Sequence, residues 1–135
     1  MKIIIALLMS LVLSGCSTTV SKAMSYIPSF WDDNQSHKII DLRLTIERID
    51  CSQSQKPQVT RIRDDIEWFR LYSESKGSRQ QDVLKLVLPM AETAEEWYKR
   101  VSVEGYKENP VYCNLKKKVM TEQAARASKA VLGRF

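Results

Sequence analysis

Apolar residues follow two different patterns along this chain. Residues 3–13 form a nearly unbroken apolar run whose sole polar member is Ser10. Further on, apolar residues recur at three- and four-residue intervals, the spacing that lines one face of a helix. The first such segment spans about residues 35–51, with Ile39, Leu42, Ile46 and Ile49 in one stripe and Ile40, Leu44 and Cys51 on a second face. Ile40, Leu42, Leu44 and Ile46 also alternate as strand residues do, but the length of the segment and the lack of a partner strand favour a helix. A second segment, about residues 58–75, carries Val59, Ile62, Ile66 and Phe69. The third, ending near Val101, carries Val83, Val87, Met90, Ala94, Trp97 and Val101. The fourth, about residues 109–132, places Cys113, Met120, Ala124, Ala127 and Val131 on one side, with Tyr112, Leu115 and Val119 beside them.

Punctuation between the segments agrees with four helices. Residues 52–57 are a polar connector ending in Pro57, and Lys76-Gly77 supplies a stop suited to a left-handed residue. Ser78 with Gln81 three residues on forms a capping-box pattern for the third helix. Pro89 lies inside that helix and predicts a kink or a split. Asn109-Pro110 is a start signal, a cap residue followed by proline at the first helical position. Only four Gly and four Pro occur in 135 residues, too few for a turn-rich β-sandwich. The expected fold class is all-α, a four-helix up-down bundle.

The apolar run 3–13 follows Lys2 and is too short, at ~16 Å as a helix, to cross a ~30 Å hydrocarbon core. Its length suits the apolar part of an export signal. It ends in Leu13-Ser14-Gly15-Cys16, which resembles the lipobox of bacterial lipoproteins at all four places. The resemblance implies cleavage before Cys16, a diacylglycerol thioether on its sulfur and a further acyl chain on its new amino group. Several acyl chains hold a protein far more firmly than one. Ser17 follows the cysteine where lipoproteins kept at the inner membrane have Asp, so the resemblance implies the outer membrane, with the chain facing the periplasm. The expected organisation is a signal peptide over residues 1–15, a lipidated tether over 16–36 and a bundle over 37–135. The tether is rich in Ser and Thr and is broken by Pro28, yet it holds Tyr26, Ile27, Phe30 and Trp31. Those residues either lie at the lipid interface or pack back on the bundle, and packing back is favoured because exposed aromatics are usually covered.

With Cys16 assigned to lipid, Cys51 and Cys113 remain as an even pair in an oxidising compartment, where such pairs usually bond. In an up-down bundle the end of helix 1 and the start of helix 4 lie at the same end of the molecule. A disulfide tying helix 1 to helix 4 is therefore expected.

Apolar residues make up 44% of the chain and charged residues 27%, too apolar for a disordered chain. The net charge is +5, and its excess lies late in the sequence. From Pro110 onward Lys116, Lys117, Lys118, Arg126, Lys129 and Arg134 face a single acid, Glu122. Lys116, Lys117 and Lys118 are the candidate basic surface; such a face could meet anionic headgroups, an acidic partner or nucleic acid, but an ordinary solvated helix face is favoured. No nucleic-acid partner or small-molecule substrate is expected.

Catalysis is not expected either. The one histidine, His37, stands near a helix start, and no metal-ligand spacing, phosphate loop or nucleophile elbow accompanies it. Asp64, Asp65 and Glu67, and Glu92, Glu95 and Glu96, fall off the apolar stripes, where nothing tunes them for acid–base work. No catalytic residue, metal or cofactor is assigned. One feature exceeds the needs of a core: Trp68 points away from Ile66 and Phe69, with Leu71 and Tyr72 flanking it. Either Phe30 and Trp31 cover this surface or a protein partner does. Trp68, Leu71 and Tyr72 are the candidate partner-binding residues.

Lipobox, size, helix count and cysteine placement together resemble the secretin pilotins of type II secretion systems. These are small outer-membrane lipoproteins built as four-helix bundles with a disulfide from helix 1 to helix 4. The resemblance is one of layout, with no shared motif, so no pilotin residue maps onto a position here. It implies a chaperone that binds the C-terminal segment of a secretin subunit and carries it to the outer membrane. A phage- or plasmid-encoded exclusion lipoprotein and a structural envelope lipoprotein are the alternatives.

Overall fold

The computed structural model describes residues 32–133, and over that span the chain is an all-α bundle of four helices. The lipobox, the apolar run before it, the tether aromatics Tyr26, Ile27, Phe30 and Trp31, and Arg134 lie outside the described residues. The helices are α1 (Asp33–Glu47), α2 (Gln55–Ser75), α3 (Gln81–Val101) and α4 (Pro110–Leu132). Short connections make successive helices antiparallel neighbours. α1 also packs along α4, closing a ring in which α2 and α4 stand diagonally opposed, as do α1 and α3.

The predicted stripes form the core. Ile39, Leu42, Ile46, Val59, Ile62, Phe69, Val83, Val87, Met90, Ala94, Trp97, Cys113, Met120, Ala124 and Ala127 are fully buried, and Ile49, Ile66, Val101 and Val131 nearly so. The second face of α1 is different: Ile40 and Leu44 are exposed. Leu115 and Val119, expected beside the buried line of α4, are exposed as well.

Helix ends depart from expectation where another part of the fold supplies the cap. α1 begins at Asp33 because the Asp32 side chain accepts the Gln35 N–H at 3.1 Å, so Gln35 and Ser36, expected in the tether, are buried in the bundle. α1 then stops at Glu47. An Asx-type turn follows in which the Asp50 carboxylate accepts from Ser52 N (2.9 Å) and Ser52 Oγ (2.6 Å). α2 starts at Gln55 rather than at 58. Pro57 fits in its first turn, where a backbone N–H has no intrahelical partner to lose. Glu108, from the α3–α4 loop, accepts from Gln55 N and Ser54 Oγ, both at 3.2 Å, and so caps α2 from a distance.

Gly77 has φ +80°, the left-handed stop expected after α2. The capping box at Ser78 does not start α3. Residues Gly77–Gln80 form a 3-10 turn, and Gln80 precedes the helix with its side chain turned inward to accept from Gln35 Nε2 at 3.1 Å. Pro89 does not split α3, which runs unbroken with buried residues on both sides of the proline. Asn109 caps α4 as expected, accepting from Tyr112 N at 3.0 Å.

The Cys51–Cys113 disulfide is present, with Cα atoms 5.7 Å apart. Its anchor points differ from the expected pair of helices. Because α1 ends at Glu47, Cys51 sits in the α1–α2 connection, and the bond joins that connection to the first turn of α4. Beside it Gln55, fully buried, accepts from Trp97 Nε1 (3.1 Å) and Tyr106 OH (3.4 Å) and donates to the Asn109 carbonyl (3.2 Å). Two helices, α2 and α3, and the α3–α4 loop are thus fastened around one amide.

Candidate functional site

Trp68 and Tyr72 are one helical turn apart on α2, so their rings can lie one above the other. They do so with centroids 4.9 Å apart and planes within 6° of parallel. The stack occupies the α1–α2 seam near the point where the described chain begins. Trp68 is 42% exposed and the neighbouring Leu71 51%, so a large part of this apolar surface faces solvent. The three candidate partner-binding residues form one contiguous surface.

Tyr72 is held from several sides. Its hydroxyl donates to the Asp32 carboxylate (3.0 and 3.2 Å) and accepts from Asn34 Nδ2 at 3.1 Å. Lys76 Nζ lies 4.9 Å from the Tyr72 ring centre and 3.1 Å from Asp32 Oδ2. Burial pushes the Asp32 carboxyl up, but the Gln35 N–H, Lys76 and Tyr72 outweigh it and hold the group below the ordinary carboxylate value. The Tyr72 hydroxyl, followed by Asp32, raises Lys76. At the Trp68 end of the stack, Lys38 pairs with Asp65 and its ammonium lies over the Trp68 ring, 5.4 Å from the ring centre. The result is a stacked aromatic pair with an ammonium over each ring. The uncovered flank of the stack, with Leu71 beside it, suits an apolar side chain, while the two cations are already paired with Asp65 and Asp32.

Sequence reasoning missed the residues that hold the platform: Asp32, Lys38, Asp65 and Lys76. A signal existed for Asp32, since an acidic pair ahead of a periodic apolar segment marks a helix start. Nothing in the sequence foretold that Lys38 and Asp65 would meet across two helices.

The candidate basic surface is divided. Lys116 pairs with Glu96 at 2.7 Å, and Lys117 donates to the Ile49 carbonyl at 2.8 Å beyond the end of α1. Lys118 alone of the three is exposed. A cleft of about 530 Å³ runs between α2 and α3, lined by Arg63, Glu67, Arg70, Ala91 and Glu95 among others. Its charges serve one another: Arg63 pairs with Glu95 at 3.6 Å and lies 4.0 Å from the Tyr98 ring centre, while Arg70 grips Glu67 and Glu74. The hydrogen bonds from Arg70 draw the Glu67 carboxyl below its usual value.

No protein-family model, curated protein or solved structure matches this chain. The functional reading therefore rests on its own residues. Among the described residues no helix is long and apolar enough to cross a membrane.

Proposed function

We propose that this chain is a periplasm-facing lipoprotein, held at the outer membrane by lipid on Cys16, that binds an envelope protein during its assembly. A pilotin-like chaperone for the C-terminal segment of a secretin subunit fits best. It acts by binding, not by catalysis. The lipobox residues Leu13-Ser14-Gly15-Cys16 support the anchor, and the disulfide-tied four-helix bundle is the layout on which the pilotin comparison rests. The observation that carries the binding role is the exposed platform of Trp68, Leu71 and Tyr72. Trp and Tyr are the commonest anchors of protein interfaces, and here they are stacked, with Tyr72 held by hydrogen bonds, so little ordering remains to be done on binding.

The test is crosslinking in native envelopes followed by identification of the attached protein, repeated with Trp68→Ala plus Leu71→Ala. Both side chains lie outside the core, so the helical circular dichroism should stay unchanged while capture of the partner is lost. Tyr72 is less suitable for truncation, because its hydroxyl secures the start of α1. Undiminished capture by the double variant would remove the platform from the account. Cys16→Ala should release the protein from membranes, and an unchanged membrane fraction would remove the anchor.

A further inference from the structure

The outward side of α4 carries a feature that neither the core nor the Trp68 platform uses. Val111, Leu115 and Val119 recur every four residues and are 80%, 58% and 37% exposed. They form one stripe along the first half of the helix, away from the buried line of Cys113, Met120, Ala124 and Ala127. Exposed cations accompany it: Lys118 beside the stripe, then Arg126 and Lys129 further along, against the single acid Glu122. Lys116 and Lys117 turn sideways to their own partners, so the outward cations are a different set from the run that stands out in the sequence.

We infer that this face of α4 is a docking surface for a phospholipid bilayer carrying anionic headgroups. Aliphatic residues flanked by Lys and Arg are the make-up of a helix lying in a membrane interface. The cations oppose pairing with the same face of a second copy and attract an anionic surface. The exposed Trp68, stacked on Tyr72, lies by contrast on α2.

The inference rests on the anchored reading for the nearness of the bilayer. Asp32 lies sixteen positions after Cys16, a reach of up to ~55 Å when extended. α4 is only ~35 Å long, so the tether allows the bundle to lie on its side. The ring order then has a consequence. α2 stands diagonally opposite α4, so seating α4 on the lipid turns Leu71 and Trp68 toward the aqueous side, open to a partner.

The test uses the full lipidated chain with p-benzoylphenylalanine in place of Leu115, reconstituted into vesicles of phosphatidylethanolamine with phosphatidylglycerol, or of phosphatidylcholine alone. On illumination the probe should form lipid adducts in the anionic vesicles. Adduct yield should fall at least about tenfold with Lys118→Glu plus Lys129→Glu, taking about fivefold for each cation lost near a membrane surface. The same probe at position 71 should yield no lipid adduct. Protein that floats with both vesicles but gives no lipid adduct at position 115, or crosslinks there to a second copy or another protein, overturns the docking and leaves the anchor standing. Protein that floats with neither overturns both.

Discussion

Gln55 shows how much a single buried side chain can organise. Its amide oxygen receives the indole N–H of Trp97 and the hydroxyl of Tyr106, and its amide nitrogen reaches the Asn109 carbonyl. Removing one partner from a buried hydrogen bond costs about 1–3 kcal/mol for each polar group left without a replacement. Gln55→Leu strands the buried Trp97 N–H and frees the loop before α4, and should cost roughly 2–4 kcal/mol. Urea unfolding followed by circular dichroism measures this, with Gln53→Ala as an exposed loop control expected to shift stability by about 0.5 kcal/mol or less. Equal midpoints for the two variants would show that Gln55 does not hold this end of the bundle. The sequence offers no hint of the role, since a glutamine after a polar connector reads as surface.

At the scale of the element, the start of α1 depends on charge. Asp32 caps the helix, accepts from Tyr72 and pairs with Lys76, and these partners keep its carboxyl ionised below the usual range. A carboxyl depressed in the folded state stabilises the fold above its unfolded value, about 3.9, and that contribution is lost as pH falls through the lower folded value. Wild-type protein should therefore lose stability between about pH 5 and pH 2 more steeply than Asp32→Asn, which keeps a capping acceptor but has no charge to titrate. Parallel pH profiles of the urea midpoint would show that the clamp contributes nothing. The clamp also marks how far the sequence could be read. Buried stripes were legible in all four helices because periodicity reports burial directly, and the Asn109 cap of α4 was legible because it acts three residues away. Ends set by distant groups were not: Glu108 caps α2 across 53 residues, and Gln35 draws in the side chain of Gln80. The Trp68 surface was legible as an excess of apolar residues, but the cations over its rings were not, since Lys38 and Asp65 meet only once α1 and α2 are packed.

At the scale of the whole molecule, the disulfide decides how the ring of helices closes. The α1–α4 seam is the one closing contact that joins elements far apart in sequence, and so the costliest to form from an open chain. Cys51 and Cys113, 62 residues apart, bridge the α1–α2 connection to α4 at one end of that seam. On the chain-entropy account, a loop of this length stabilises the fold by about 4 kcal/mol. Lys117 bonds the Ile49 carbonyl close by and would hold the same junction after reduction, though one such hydrogen bond contributes only about 1–2 kcal/mol. Reduction, or Cys51→Ser with Cys113→Ser, should therefore lower stability by roughly 2–4 kcal/mol while leaving most of the helical signal intact at low temperature. The loss should be local as well as global. Amide exchange should accelerate first in the turn over residues 49–53 and the first turn of α4, because the bond pins these to each other, and least near Met90 and Phe69, away from the junction. Uniform acceleration along the chain would mean that the bridge acts on the unfolded ensemble alone and that α1 and α4 hold their seam without it. The platform of Trp68 and Tyr72 lies at the opposite end of α2 from the bridge, so in the localised case a reduced protein still captures its partner, and redox state and binding are independent.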